Sequence, residues 1–184
     1  MRSAGAGPWS ARWAAVLTLL AAAALVSCDH GLEAEPSGLT GIAGRIAFVG
    51  EWPDSVAEVA VAVYPRVPQA LPDFFNLAGA DQSVPVGSAA YSYFVPIQSD
   101  GVYAWVIVVW RAPGSFWDFR SLLGCYHAVG DTVPTPVPVR RGAVTGGIDI
   151  TVNLGVLRGE TVPDLSLCTS LLPPDLLAGG AGSD

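Results

Sequence analysis

Five side chains in this sequence have the chemistry of a nucleophile, an imidazole base or a soft metal ligand: Cys28, Cys125, Cys168, His30 and His127. Their spacing assembles no reaction. His30 follows Cys28 by two positions, so a serine–histidine pair or a histidine-ligated metal would rest on His127 alone, whereas such sites need several converging groups. The chain contains no lysine, which removes the phosphate-loop lysine, the Schiff-base lysine and the serine-x-x-lysine nucleophile together. No Gly-x-Ser-x-Gly, HExxH or EF-hand pattern occurs. The expectation is a non-enzyme with no catalytic residue, no cofactor and no metal. The chemistry left is that of the cysteines, one placed for modification and two for cross-linking.

Cys28 ends an apolar run. Arg2 and Arg12 precede Ala14–Val26, which is interrupted only by Thr18. At about 13 residues it has the length of a signal-peptide core, short of the ~20 needed to span a bilayer. The run stops at Leu25-Val26-Ser27-Cys28, followed at once by Asp29. With a hydrophobic residue three before the cysteine and a small one just before it, this resembles the lipobox of bacterial lipoproteins. The resemblance implies loss of residues 1–27, lipid on Cys28, an acylated new amino terminus and residence in the bacterial cell envelope. Each buried CH₂ of an acyl chain contributes about 0.8 kcal/mol, so several chains anchor durably where one does so only marginally. The residues also allow a secreted chain cut elsewhere, or an uncleaved signal anchor. Asp29 is similar to an inner-membrane retention signal in some bacteria, which leaves inner against outer membrane open.

Beyond residue 27 the chain has seven arginines against sixteen carboxylates, a formal charge of −9. Nucleic acid is excluded as a partner on that balance. A purely electrostatic hold on anionic lipid is excluded too, because Arg140 and Arg141 are the only adjacent basic pair. They read as a solvated strand end.

The elements that would position these residues have a period of two. Residues 28–40 (DHGLEAEPSGL within them) read as a flexible tether, 41–157 as one β-domain and 158–184 as a tail, docked at first and disordered at its end. In GGIDITVNL, Ile148, Ile150, Val152 and Leu154 alternate with Asp149, Thr151 and Asn153, a strand with one wet face. Similar runs lie at 42–50, 56–64, 88–97, 101–111 and 119–129, with a seventh at 133–139. Between the 88–97 and 101–111 runs, QSDG predicts a hairpin turn. Pro134, Pro136 and Pro138 remove donors from one lateral side, predicting an edge strand that blocks sheet growth; the alternative is a polyproline-like connector. Seven short strands predict an all-β, seven-stranded antiparallel β-sandwich with Greek-key connections. AYSYFVPIQSDGVYAWVIVV and VPVRRGAVTGGIDITVNL resemble strands of carboxypeptidase regulatory-like and transthyretin-like domains. That resemblance implies a prealbumin-type sandwich acting as a non-catalytic accessory on an exported protein.

Two features go beyond a minimal sandwich. Residues 64–88 form a long insertion between the second and third expected strands, with Phe74, Phe75 and Leu77 arguing against a solvated loop. It reads as a short helix started by Asp73 that folds over the sandwich as a lid, or as a binding loop. The second feature is GVYAWVIVVWR, apolar on both faces, of which a sandwich covers only one. The other face needs the insertion, the tail or a partner protein, including a second copy. Phe74, Phe75, Trp105, Trp110 and Trp117 are therefore the candidate binding surface, with carbohydrate stacking on exposed tryptophans as the alternative to protein contact. In an oxidising compartment Cys125 and Cys168 are expected to form a disulfide that brings Leu165, Leu167, Leu171 and Leu172 back onto the second face; the alternative is two buried free thiols.

Overall fold

The computed structural model describes residues 38–160 and 162–178. The expected signal peptide, Cys28, His30 and the tether as far as residue 37 lie outside the described residues, as does the end of the tail from 179. No helix among the described residues is long and apolar enough to cross a membrane.

The described chain is mostly strand. A first sheet places β1 (Gly41–Val49) between β4 (Ala90–Pro96) and two late strands, β9 (Val144–Thr145) and β10 (Ile150–Asn153). A second sheet has the order β3 (Gly79–Val84), β2 (Glu58–Tyr64), β6 (Trp105–Arg111), β7 (Leu122–Cys125), and a short ribbon joins β5 (Gly101–Tyr103) to β8 (Val137–Val139). Two helices, α1 (Pro163–Thr169) and α2 (Pro174–Ala178), follow the last strand. The two larger sheets face each other over a core of β-branched and aromatic side chains, among them Ile42, Ile46, Val61, Val63, Val95, Val106, Val108 and Val152, all essentially inaccessible to water. This is a sandwich-like all-β architecture.

The structure differs from the expectation in four places. Ten strands are present among the described residues rather than seven, because the 101–111 run breaks at Ala104, the segment from 137 to 153 divides into three rather than two, and residues 79–84 add a strand of their own. Pairing is not wholly antiparallel: β1 runs parallel to both β9 and β10, with Ile46 opposite Ile150 and Phe48 opposite Val152. QSDG is not a hairpin turn. It carries the chain from β4 in the first sheet to β5 and onward to β6 in the second, where β6 finds its hydrogen-bonding partners in β2 and β7. The insertion between the second and third expected strands contributes β3 itself, so the true connection is the shorter stretch from 65 to 78.

The proline-rich segment meets its edge role over β8, which pairs only with β5: Val137 lies opposite Tyr103 and Val139 opposite Gly101, with Pro138 between them. The sheets are also joined at their margins. On one margin Asp81 of β3 accepts from the Phe94 amide and the Tyr91 hydroxyl of β4, each at 3.4 Å.

One contact in the first sheet depends on a missing side chain. Gly44 of β1 lies opposite Tyr93 of β4, and a Cβ there would collide with the carbonyl oxygen of Ile148. The space lets the Tyr93 hydroxyl cross β1 and donate to that same carbonyl at 2.6 Å. Burial holds the phenol well above its ordinary pKa, so it remains a donor at any working pH. Gly44→Ala is expected to destabilise the domain by about 1–3 kcal/mol through overpacking. Tyr93→Phe is expected to cost about 1–2 kcal/mol through the lost buried hydrogen bond. Urea unfolding followed by near-ultraviolet circular dichroism measures both; an unchanged midpoint for Gly44→Ala would contradict the packing described.

Candidate functional site

Side-chain alternation gives the second sheet two unlike faces. Val59, Val61 and Val63 of β2 and Val106 and Val108 of β6 enter the sandwich core. Ala60, Ala62 and Tyr64, with Trp105, Ile107 and Val109, form a second apolar cluster on the outer face.

Three short segments cover that outer face, each pinned by a directional bond. The first is the C-terminal helical pair. Cys168 of α1 is disulfide-bonded to Cys125 of β7, with Cα atoms 5.5 Å apart, and Leu172 and Leu176 are buried against the sheet with Leu165 and Leu167 half-buried beside them. Leu171, expected to dock, is instead 43% exposed. The second is a 3-10 turn, Phe119–Ser121, that buries Phe119. Asp118 caps it, accepting from the Arg120 and Ser121 amides at 2.7 and 3.2 Å. Burial opposes the Asp118 charge, but the Arg120 side chain and these amides outweigh it and hold the carboxyl below its ordinary range.

The third segment is the lid, a 3-10 turn over Leu71–Phe75. Asp73 lies inside this turn rather than starting it, and its Oδ2 reaches back to accept from the amides of Gln69 and Ala70 at 2.9 and 3.1 Å. The Gln69 bond leads the effects that hold the Asp73 carboxyl below its usual range. The buried Tyr64 hydroxyl donates to the Phe74 carbonyl at 2.9 Å, fixing the lid to β2. Phe74 then meets Phe119 edge-on at 5.0 Å between ring centres, and Trp105 lies beneath, 5.7 Å from Tyr64.

Between the lid and the 112–118 loop the cover is incomplete. A groove remains with Ala60, Ala62 and Ala80 as its floor and Phe74 and Trp117 among its walls, with Gln82 as a polar group in the lining. The Arg111 guanidinium sits 5.4 Å from the centre of the Trp117 ring and is itself paired with Glu58 across β2 and β6. Phe75 and Phe116, the chain neighbours of these two walls, are 79% and 91% exposed. Of the candidate surface residues, the structure thus brings Phe74 and Trp117 to one groove and leaves Phe75 beside it. It removes the other two: Trp105 is wholly buried under the lid, and Trp110 points from the opposite face of β6 to pack on the sandwich core. A stacking platform built on those two tryptophans is therefore corrected, because strand alternation sends them to opposite sides. The alanine floor was not among the predicted surface residues, although the alternation VAVAV in β2 carries the signal for it.

Among the described residues no group of three or more His, Cys, Asp or Glu side chains is placed to hold a metal ion. Comparison with protein-family models, curated proteins and solved structures finds no match to this chain.

Two outcomes are expected of the cover. The disulfide closes a loop spanning 43 residues. On the chain-entropy model its loss costs up to about 4 kcal/mol. Cys125→Ala/Cys168→Ala should accordingly lower the urea midpoint and raise acrylamide quenching of Trp105, and unchanged quenching would contradict the docking role of the bridge. The second concerns pH. Asp73 and Asp118 both have folded pKa values below their unfolded ones, so their stabilisation is complete above about pH 4 and is lost as pH falls through the lower folded values. The stability of Asp73→Ala/Asp118→Ala should fall less steeply than wild type below pH 4. Equal slopes in urea titrations at stepped pH would refute this.

Proposed function

We propose that this chain is a lipid-anchored protein of the bacterial cell envelope, whose sandwich is a non-catalytic accessory module that acts by contact with a protein partner. The anchor rests on Leu25–Cys28 following the apolar run from Ala14. The contact rests on one observation above others, the groove walled by Phe74 and Trp117 with Phe75 and Phe116 exposed beside it. Aromatic side chains of this size left in water around an apolar hollow mark an interaction surface, and Trp and Phe dominate the energetics of such contacts. The resemblance to carboxypeptidase regulatory-like domains fits this reading. The seven-stranded prealbumin-type reading is supported by β1 to β4, β6, β7 and β10 of the two four-stranded sheets, with the two-residue β9 and the β5–β8 ribbon taken as additions.

Two measurements test the proposal separately. Cys28→Ser should leave an unprocessed precursor that incorporates no labelled fatty acid, and equal labelling of wild type and variant would refute the anchor. A photo-crosslinking residue at position 116 should give one discrete adduct in intact envelopes, while the same residue at position 92, exposed on β4 of the first sheet, gives none. Identical adduct patterns at both positions would refute the groove as the contact.

A further inference from the structure

The end of the sandwich where β1 begins differs chemically from the opposite end. Gly38–Thr40 pack against the turn between β8 and β9: the Gly142 amide donates to Thr40 Oγ1 at 2.7 Å, and the Gly41 amide to the Ala143 carbonyl at 3.3 Å. That turn carries Arg140 and Arg141, both exposed, and the Arg141 amide is held by Asp100 at 2.6 Å, which brings the β4–β5 connection to the same end. Around them Leu39 is 71% exposed, Val102 62% and Val144 45%. The opposite end presents Glu51 and Asp54, and there the β3–β4 turn places Val86. The direction is fixed by β4, which runs from Ala90 at that end to Pro96 opposite Gly41.

We propose that the Gly41 end is the membrane-facing end of the domain, with Arg140 and Arg141 at the phosphates of anionic lipid and Leu39, Val102 and Val144 at the boundary with the acyl region. This rests on the lipid anchor at Cys28, since only nine residues, ten Cα–Cα steps, separate that cysteine from Gly38. Such a segment reaches at most about 36 Å. It leaves from the very end that carries the basic pair. A domain so acidic is repelled by an anionic surface, and the repulsion is reduced when its one adjacent arginine pair, which outnumbers the neighbouring Asp100, faces that surface and Glu51 and Asp54 lie beyond the screening distance of about 10 Å. Exposed aliphatic side chains next to arginines are the composition that settles at a headgroup boundary. The pair does not hold the protein on the membrane; it orients a domain that the lipid already holds.

The test uses the full-length lipidated protein reconstituted in vesicles of phosphatidylethanolamine and phosphatidylglycerol carrying a headgroup-attached quencher. With Cys28 acylated and Cys125 bonded to Cys168, a single introduced cysteine is the one free thiol for a fluorophore. Labels on Leu39→Cys and Val102→Cys should be quenched about threefold more than labels on Val86→Cys and Phe116→Cys, and Arg140→Glu/Arg141→Glu should reduce that contrast. Equal quenching at all four positions, or stronger quenching at 86 or 116, would overturn the orientation. The mass of the Cys28 peptide from the same preparation reads the anchor independently, so an unmodified Cys28 overturns the lipoprotein reading alone. The orientation is then judged on a chain whose residues 1–28 are replaced by hexahistidine, which removes the unacylated Cys28 thiol, and held on nickel-chelating lipid, with the same four labels and the same deciding contrast.

Discussion

Residues Trp105–Arg111 form a strand that presents apolar side chains on both faces, and such a strand cannot lie in a simple two-layer sandwich with one side wet. β6 lies in the middle of its sheet, between β2 and β7, and the constraint requires a third layer. Each buried large side chain contributes about 1.5–3 kcal/mol. An uncovered outer face with Trp105, Ile107, Leu122 and Tyr64 would forfeit that contribution several times over and expose an adhesive surface. Lid, loop and C-terminal helices all answer this one requirement.

The two layers that cover β6 are held by different physics. The inner cover is another sheet, whose long ladders and interdigitated valines and isoleucines are cooperative by themselves. The outer cover is made of pieces too short to be stable alone: a five-residue 3-10 turn, a three-residue one, and helices of seven and five residues. Short helices have little intrinsic stability. Each is accordingly fastened by something directional, Asp73 and Tyr64 for the lid, Asp118 for the second turn and the Cys125–Cys168 bond for the helices. The fit is not perfect in its polar detail. The Trp105 indole N–H is buried without a hydrogen-bond partner, as is His127 Nδ1. The cost of about 1–3 kcal/mol for such an orphan is of the same size as the gain from burying the ring.

Much of this architecture was legible in the sequence because period-two patterns report which face is wet. The disulfide and the need for a second cover followed from chain chemistry and from the two apolar faces of 101–111. What escaped did so for physical reasons. Strand β3, GADQSV, has no apolar alternation, since Asp81 spends its side chain on hydrogen bonds to β4 and not on solvent or core. The QSDG turn has hairpin chemistry, yet a turn's local preference does not say whether its two arms pair with each other or with strands far away. The parallel neighbours of β1 were invisible for the same reason, being a matter of long-range pairing. At the candidate surface, large aromatic residues drew attention, whereas the floor is made by what is absent, the side-chain volume that Ala60, Ala62 and Ala80 lack.

The position of β1 has a mechanical meaning. It is hydrogen-bonded on one side to β4 along its length and on the other to β9 and then β10, and the segment upstream of Gly38 leads directly into it. Tension drawn along the strand through that segment would load both ladders in shear, so their bonds would have to give way together. A terminal edge strand pulled sideways would peel one bond at a time. Near the other end of the described chain, Cys168 is stapled covalently to β7, so a load that reaches Cys168 passes into the second sheet without testing the chain between residues 125 and 168. The domain thus resists unravelling when it is pulled from its leading end.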